Sequence, residues 1–327
     1  MNTIFCEKRR AGARLLALLC AMILAGACLP ALGEESAEAE ENVTLASLPI
    51  DMTPGPAAPE ENFTEDGYED PTITVKMEKV TTEKAIYNVA RVTIGDASQL
   101  RTYITAKGRT NKISALAEKA GAIVATGGDY YGSDKGGYIV RQGEVVEKRK
   151  SPYETRDLLC IDEKGDFHIL RRIRDAKKNG KSKSINPDFK DQLKALTEEN
   201  TLVNVFEWGP ALVIGGEVQE IPDSYSGNPD GREPRCAIGQ TGPLSYVMVV
   251  VDTIKHHDRS GKEGATTEEL AQFMADLGCQ EAYNLDGGNS ALMYFHGANY
   301  SDKTVKEERS VSDIIYFATA MGEGTEP

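Results

Sequence analysis

The chain has 327 residues, 40% of them hydrophobic, which is enough for one large folded domain or two small ones. Its formal net charge of −14 is concentrated near the N-terminus, and residues 71–327 keep only about −5. That mild charge excludes the basic footprint of a nucleic-acid-binding protein, so we expect no nucleic-acid partner. Cys160, Cys236 and Cys279 form no CxxC pair, which excludes a zinc-ribbon or disulfide framework.

Residues 1–33 have the pattern of a secretion signal. Four basic residues precede an apolar run over 15–29, and the small residues Ala31 and Gly33 fit cleavage before Glu34. Two alternatives stay open: a lipoprotein signal, with Cys28 one position too late for the usual spacing, and an uncleaved membrane anchor. All three place the protein outside the cytoplasm. We therefore predict a secreted or extracellular cell-surface protein, with membrane anchoring of the N-terminus as an alternative.

Residues 34–70 differ in composition from the rest of the chain. They contain twelve acidic residues, no Lys or Arg, and several prolines. Such a stretch buries too little apolar surface to offset the entropy of ordering it. We predict an acidic, Pro-rich disordered linker over 34–70 and a folded domain over 71–327.

Short strands dominate the rest of the chain, with few helices. Alternating or buried apolar runs predict strands over 73–77, 85–94, 103–105, 122–126, 138–141, 144–146, 158–161, 167–170, 202–207, 211–214, 236–239, 246–252, 282–285, 292–295 and 314–318. Helical spacing predicts helices over 112–120, 188–196 and 267–277, the last capped by Thr266 or Thr267 with Glu269 in its first turn. No repeat and no βαβ periodicity is present. The pattern predicts an α+β fold, with one mixed-sheet domain.

The segment from Asn284 to Ser290, Asn-Leu-Asp-Gly-Gly-Asn-Ser, follows a predicted strand and is the strongest candidate site. Gly287 and Gly288 can take positive φ and let the backbone approach a ligand, while Asp286, Asn289 and Ser290 supply polar groups. A tight turn in which Asp and Asn bond their own backbone is the alternative interpretation.

Two other glycine-bearing strand ends and one arginine could join this segment. Gly128 and Asp129 follow the strand at 122–126, and Gly209 follows the strand at 202–207. Arg235 opens a strand after a loop, and its planar fork of donors suits a phosphate or carboxylate. Taken singly, each glycine pair is more simply a turn, and Arg235 a surface salt bridge.

The order of these motifs resembles the phosphodiester glycosidase family over about residues 73–316. The matching pieces are the Gly-Asp-Tyr-Tyr at 128–131, Gly-Pro-Ala-Leu at 209–212, Arg-Cys-Ala-Ile-Gly at 235–239, Asn-Leu-Asp-Gly-Gly with Ser290, and Arg-Ser-Val-Ser-Asp at 309–313. The chain departs from the family pattern twice. Gly127 stands where the family usually has Asn, and Asn289 replaces a third glycine.

The resemblance implies hydrolysis of sugar-1-phosphate diester links in surface or extracellular glycans. It gives Asp286 the role of base or nucleophile at an oxocarbenium-like centre, with Arg235 on the phosphate and Asp129 in reserve. Asp252 is a second reserve carboxylate, or simply a strand-end turn residue.

The substrate pocket is expected to be shaped by a wider set of residues: Gly128, Gly209, Asn284, Gly287, Gly288, Asn289, Ser290 and Arg309. No cofactor is certain, and a divalent cation on Asp286 or Asp129 stays open. The alternative function is a non-catalytic glycan-binding surface domain, which the Gly127 departure favours.

Overall fold

The computed structural model describes residues 47–105, 109–129, 131, 137–148, 156–172, 174–178, 181–184, 186, 188–222, 225, 227–253, 263–302 and 307–321. The predicted signal segment at 1–33 and the first part of the predicted linker, at 34–46, lie outside these residues.

Twenty-three strands and three α-helices make up the described part of the chain. The helices are α1 (Ile113–Ala120), α2 (Phe189–Glu199) and α3 (Thr267–Asp276). The strands are β1 (Phe63–Thr64), β2 (Gly67–Asp70), β3 (Ile73–Thr81), β4 (Ala85–Ile94), β5 (Leu100–Ile104), β6 (Asn111–Lys112), β7 (Val124–Gly127), β8 (Tyr138–Arg141), β9 (Glu144–Lys148), β10 (Leu158–Asp162), β11 (Phe167–Leu170), β12 (Arg174–Lys178), β13 (Lys181–Ser184), β14 (Leu202–Phe206), β15 (Ala211–Ile214), β16 (Glu217–Val218), β17 (Arg235–Gly242), β18 (Ser245–Thr253), β19 (Glu281–Leu285), β20 (Met293–Phe295), β21 (Ala298–Asn299), β22 (Ser310–Val311) and β23 (Asp313–Phe317).

Three larger sheets organise these strands. A nine-stranded sheet has the order β1-β2-β3-β4-β18-β17-β19-β15-β16. Two five-stranded sheets have the orders β11-β10-β14-β8-β9 and β21-β20-β7-β23-β5, and the pairs β12-β13 and β22-β6 stand apart. The α+β class with few helices is confirmed. The strand pairs in the described residues run antiparallel, so the sheets are antiparallel rather than mixed as predicted.

The main core lies between the nine-stranded sheet and the two five-stranded sheets. Cys236 of β17, Leu285 of β19 and Ile315 of β23 belong to this one buried apolar cluster. The other face of the large sheet packs against α3 through residues such as Leu270 and Met274. Because alternate residues of β17–β19 face different layers, both faces of these central strands are buried. Their ends are therefore held rigidly, and that is where the candidate site residues emerge.

The helix α3 begins where the sequence predicts. The Thr266 side chain accepts a hydrogen bond from the Glu269 N–H at 3.1 Å, and the Glu269 carboxylate accepts from the Thr266 N–H at 3.0 Å. This reciprocal capping box satisfies two backbone donors that a helix start leaves open. It also fixes the loop before α3, which borders the candidate site.

The linker prediction is corrected for residues 47–70, which belong to the folded domain. Tyr68 of β2 is only 2% exposed and lies in the main core, while Leu48 packs against the α1 layer. The buried Arg101 donates to the backbone oxygens of Pro49 at 2.9 Å and Thr53 at 2.9 Å. An acidic, Pro-rich composition misled the prediction because the order comes from a few aromatic anchors and a buried cation, not from average hydrophobicity.

Candidate active site

Asp286 lies immediately after β19, the strand between β17 and β15 in the nine-stranded sheet. Its N–H donates to Gly128 O at 3.0 Å, which joins the end of β19 to the end of β7. The turn that follows needs its glycines. A Cβ on Gly287 would lie 2.9 Å from Pro234 O, and Gly288 has φ +57°. The predicted Asp-Gly-Gly turn is thus both a tight turn and a place where the backbone crowds a neighbouring strand.

A cavity of about 180 Å³ opens beside this turn. It collects residues from four separate parts of the chain, which are Trp208, Pro210, Gly227, Glu233, Arg235, Thr267, Asn284, Asp286, Gly287 and Gly288. The structure therefore brings together Asp286, Arg235, Asn284, Gly287 and Gly288 as predicted neighbours. Gly209 lies directly before the lining residue Pro210.

Several buried polar atoms at this place have no hydrogen-bond partner. They are Asn284 Oδ1, Asp286 Oδ2, Ser290 Oγ and Asp313 Oδ1, four of the nine such side-chain atoms in the described residues. Buried polar atoms are normally satisfied, because an unmade hydrogen bond costs about 1–3 kcal/mol. Of these four residues, Asn284 and Asp286 line the cavity, which indicates a site able to receive hydrogen-bond donors.

The Asp286 carboxyl has a raised pKa of about 6. Burial is the main cause, because it disfavours the charged form, and the nearby carboxylates of Asp313 and Asp129 add to the rise. The Ser290 hydroxyl and the charge of Arg309 lower the pKa and limit the shift, although Ser290 Oγ makes no hydrogen bond of normal geometry. A carboxyl group with a pKa near the working pH can act as a base or an acid.

Arg235 is committed mainly to structure. Its Nε donates to Ala265 O at 3.0 Å, and its two terminal nitrogens donate to the carbonyls of Gly227, Asn228 and Gly231 at 2.7–3.2 Å. A guanidinium has five N–H donors, so these four bonds leave one for a ligand. Arg235 lines the cavity as predicted, but it acts first as the clamp that folds the 227–231 loop over it.

Asp129 is held away from the cavity in a buried ion cluster. One carboxylate oxygen accepts from Arg141 Nη2 at 2.7 Å and the other from the Glu207 N–H at 2.9 Å. Arg141 also donates to Asp313 Oδ2, from Nε at 3.0 Å and from Nη2 at 2.7 Å. Since both oxygens of Asp129 are occupied, its geometry suits a structural role better than catalysis.

Gly128 sits between Asp286 and this ion cluster. A Cβ at Gly128 would come within 2.1 Å of Asp313 Oδ2, whereas a Cβ at Gly127 would meet its nearest neighbour, Ile113 Cδ1, at 3.4 Å. Gly128 is therefore required by close approach, and Gly127 is not. The position where the family usually has Asn retains space for the start of a side chain.

Another wall of the cavity is built by Trp208 and Pro210. Asn284 Nδ2 donates to Gly209 O at 2.8 Å, and the Asn284 N–H donates to Pro210 O at 3.0 Å. The Gly209-Pro210 peptide is cis, and Gly209 has φ +70°. Asn284 thus ties this wall to β19, while its Oδ1 stays without a donor.

The remaining predicted residues lie at the margin of the site. Asn289 is exposed and is not one of the cavity-lining residues, and Arg309 is exposed on the segment before β22. The Gly288 N–H donates to Pro234 O at 2.8 Å, so this donor is already used. Ser290 is buried, and its hydroxyl lies close enough to Asp286 to lower the pKa of that carboxyl.

Three residues of the site were not predicted from the sequence. Trp208 and Glu233 line the cavity, and Arg141 holds the neighbouring ion cluster. Arg141 gave no signal, because a buried arginine in a short strand looks like any alternating polar residue. Trp208 did carry a signal, since it is the only tryptophan of the chain and directly precedes Gly209-Pro210.

In the residues that the structure covers, no group of three or more His, Cys, Asp or Glu side chains has the arrangement of a metal site. The oxygens of Asp129 are already bonded, whereas Asp286 Oδ2 is not. A divalent cation on Asp286 stays a prediction. No helix within the described ranges is long and apolar enough to cross a membrane.

Comparison with known proteins agrees with the resemblance predicted from the motifs. The phosphodiester glycosidase family matches residues 120–318. Among solved structures, the catalytic domain of zebrafish N-acetylglucosamine-1-phosphodiester alpha-N-acetylglucosaminidase, auto-inhibited by its pro-peptide, matches with a TM-score of 0.56 and 17% identity over 84% of this chain and 98% of that one. A hypothetical protein from Synechocystis matches with a TM-score of 0.46 and 16% identity over 75% of this chain and 62% of that one.

At 17% identity the zebrafish structure shows a shared fold alone. No curated protein sequence matches the chain significantly. The family match, however, spans more than half of the 327 residues and contains every cavity-lining residue. The chain therefore belongs to the phosphodiester glycosidase family.

Proposed function

We propose that this protein is a secreted hydrolase that cleaves sugar-1-phosphate diester links in extracellular or surface glycans. The observation that supports this most directly is the buried Asp286 carboxyl, whose Oδ2 has no partner beside a cavity that also holds Asn284 Oδ1. In a member of the phosphodiester glycosidase family, a carboxylate so placed fits the attack or proton transfer that glycoside cleavage requires.

In the proposed reaction, water adds to the anomeric carbon and the bond from that carbon to the phosphate oxygen breaks. The products are a free sugar and a phosphomonoester. Asp286, when ionised, serves as the base that takes a proton from the water or as the nucleophile that is later displaced by it. Because phosphate is a good leaving group, the step does not require a strong second acid.

The phosphate needs cationic and N–H donors. Arg309 carries a positive charge close enough to lower the pKa of Asp286, and Arg235 keeps one N–H beyond its four backbone bonds. We infer that Arg309 is the principal phosphate cation and that Arg235 contributes mainly by holding the cavity wall. A divalent cation on Asp286 is an alternative source of positive charge.

A glycan-binding domain without catalysis is the second candidate function. It is favoured by Gly127, which removes the amide that the family usually places beside the site. Asp129, the predicted reserve carboxylate, does not replace that amide because Arg141 and the Glu207 N–H occupy it.

Hydrolysis of an activated sugar-1-phosphodiester by the purified protein tests the proposal. We expect sugar release by the wild type and loss of at least about 1,000-fold in kcat for Asp286→Asn, as for removal of an essential catalytic group. Asp252→Asn is the matched control, since Asp252 is equally buried with a pKa of about 6 but lies outside the cavity lining. No release across a panel of sugars, together with glycan binding, would establish the binding-domain alternative.

Localisation is tested separately by expressing the full chain and fractionating the culture. A mature protein beginning at Glu34 in the medium would agree with the predicted signal peptide. Recovery in the membrane fraction with residues 1–33 attached would show an anchor instead.

A further inference from the structure

Trp208 forms one wall of the cavity that contains Asp286. It follows β14 and is half-buried, with its ring also packed against the main core. The cavity places it in the same lining as Asn284 and Asp286, whose Oδ1 and Oδ2 atoms lack hydrogen-bond donors. The site thus combines one large aromatic surface with two buried acceptors.

The backbone of Trp208 is fixed from both sides by buried tyrosines. Its N–H donates to the Tyr283 hydroxyl at 2.8 Å, and its carbonyl accepts from the Tyr225 hydroxyl at 2.9 Å. The Arg156 guanidinium lies 4.7 Å from the indole centroid, a cation–π contact. An aromatic wall held in this way needs no ordering when a ligand arrives.

The size and chemistry of the cavity narrow the class of ligand. Its volume of about 180 Å³ is below the roughly 300–1,000 Å³ of pockets for drug-sized ligands, so it suits one small ring rather than an oligosaccharide. A pyranose offers an apolar C–H face for the indole and hydroxyl donors for Asn284 Oδ1 and Asp286 Oδ2. A ring lacking those hydroxyls would leave both acceptors buried and unpaired, which a site of this kind rejects strongly.

We propose that Trp208 is the specificity-determining platform: a single terminal pyranose packs against the part of Trp208 that lines the cavity, with its anomeric phosphodiester directed out of the cavity. The enzyme would then remove terminal sugars and leave internal residues of a chain intact. This inference rests on the proposed function, since the stacked ring is the sugar whose anomeric bond Asp286 attacks.

Intrinsic fluorescence tests the platform without relying on catalysis. Trp208 is the only tryptophan in the chain, so its emission reports this one wall. Wild-type protein titrated with hexose 1-phosphates and N-acetylhexosamine 1-phosphates should show a saturable change in emission with at least one of them. Inorganic phosphate at equal concentration should leave the emission unchanged.

The kinetics of two Trp208 variants distinguish a loss of sugar binding from a loss of folded protein. Trp208→Ala should raise KM about tenfold or more with a smaller effect on kcat, and Trp208→Phe should lie closer to the wild type. The matched control is Tyr300→Ala, another half-buried ring, which has Lys79 Nζ 4.6 Å from its centroid but lies outside the cavity lining. It should leave KM unchanged. Thermal unfolding of each variant confirms that the fold persists.

The outcomes distinguish the two proposals. Hydrolysis by the wild type with no emission change, or an unaltered KM in folded Trp208→Ala, overturns the platform and leaves the proposed function standing. Saturable emission change without hydrolysis overturns the proposed reaction while supporting the sugar platform. Cleavage of internal links in a capped polymer overturns the restriction to terminal sugars.

Discussion

At the scale of single residues, Asp286 gains its chemistry from the groups around it. Burial and the neighbouring carboxylates raise its pKa to about 6, and Ser290 and Arg309 hold it from rising further. Asp313 itself, fully buried beside Arg141, also has a pKa raised to about 6. Burial, together with the two carboxylates that share the buried Arg141, thus keeps Asp286 close to the pH at which it exchanges its proton.

This pKa predicts the pH dependence of the proposed reaction. The base or nucleophile must be ionised, so kcat/KM should fall tenfold per pH unit below about 6 and level off above it. Because Ser290 lowers the pKa, Ser290→Ala should move this acid limb to higher pH. Rates measured between pH 4 and pH 8 check both points. A flat profile would contradict the role assigned to Asp286.

The raised pKa of the buried Asp252 predicts that a neutral residue at this position stabilises the fold. Burial raises its pKa from the usual 3.8 to about 6, so the native state holds the proton more tightly than the unfolded state. The stability from that proton is present at low pH and is lost as the pH rises from 3.8 to about 6. Asn at this position carries no charge, and its amide oxygen can keep the bonds that Asp252 Oδ2 accepts from Asn88 Nδ2 at 2.7 Å and from the Asp302 N–H at 2.9 Å.

Asp252→Asn should therefore raise the free energy of unfolding at pH 8 by up to about 3 kcal/mol, and by less at pH 4. Urea unfolding of the variant and the wild type at both pH values measures this difference in the free energy of unfolding. Asp96→Asn is the control of opposite sign, since Asp96 caps a turn, accepts from the Ser98 N–H at 2.9 Å and has a lowered pKa. Equal stability of Asp252→Asn and wild type at pH 8 would contradict the prediction.

At the scale of elements, the two adjacent glycines at the end of β7 differ in how much space surrounds them. Gly128→Ala places a Cβ against the Asp313 carboxylate and should lower the free energy of unfolding by about 1–3 kcal/mol. Gly127→Ala meets only ordinary contacts and should cost less than about 1 kcal/mol. Gly127→Asn should fold like Gly127→Ala. A rise in its kcat over wild type would show that the family amide aids the reaction, and equally severe destabilisation by both alanines would refute the distinction.

The sequence predicted local elements well and long-range partners poorly. The helix α3 was predictable because Thr266 and Glu269 lie three residues apart, and Asp286 because glycines follow a buried strand. The commitment of Arg235 to four carbonyls was not predictable, because its partners at 227–231 and 265 meet it only in the folded chain. The same holds for Arg141, whose partners are 12 and 172 residues away.

At the scale of the whole molecule, the segment 47–70 is part of the stable unit. The Asp70 carboxylate accepts from the Thr72 N–H at 2.6 Å and the Ile73 N–H at 3.1 Å, and also from the Thr319 hydroxyl. Together with the Tyr68 side chain, these bonds join the N-terminal strands to the C-terminal end of the domain.

A chain of residues 71–327, which lacks these contacts, should therefore melt at least about 5 °C below a chain of residues 47–327. Differential scanning calorimetry compares the two. Arg101→Met in the full-length protein provides the internal control, since it releases the carbonyls of Pro49 and Thr53 without shortening the chain. Identical melting of the 47–327 and 71–327 chains would restore a boundary near residue 70.

The hydrogen bonds from Arg101 to the carbonyls of Pro49 and Thr53 also fix where this N-terminal segment lies relative to β23. Arg101 pairs with Tyr316 near one end of β23, whereas Asp313, beside Gly128 and Asp286, begins the other end of that strand. Pro49 and Thr53, which Arg101 holds, thus lie toward the Tyr316 end of β23, and the turn at Asp286 lies toward the Asp313 end. A label attached at Ser47, whose hydroxyl donates to Asp96 at 2.8 Å, would therefore lie at the end of this strand away from Asp286.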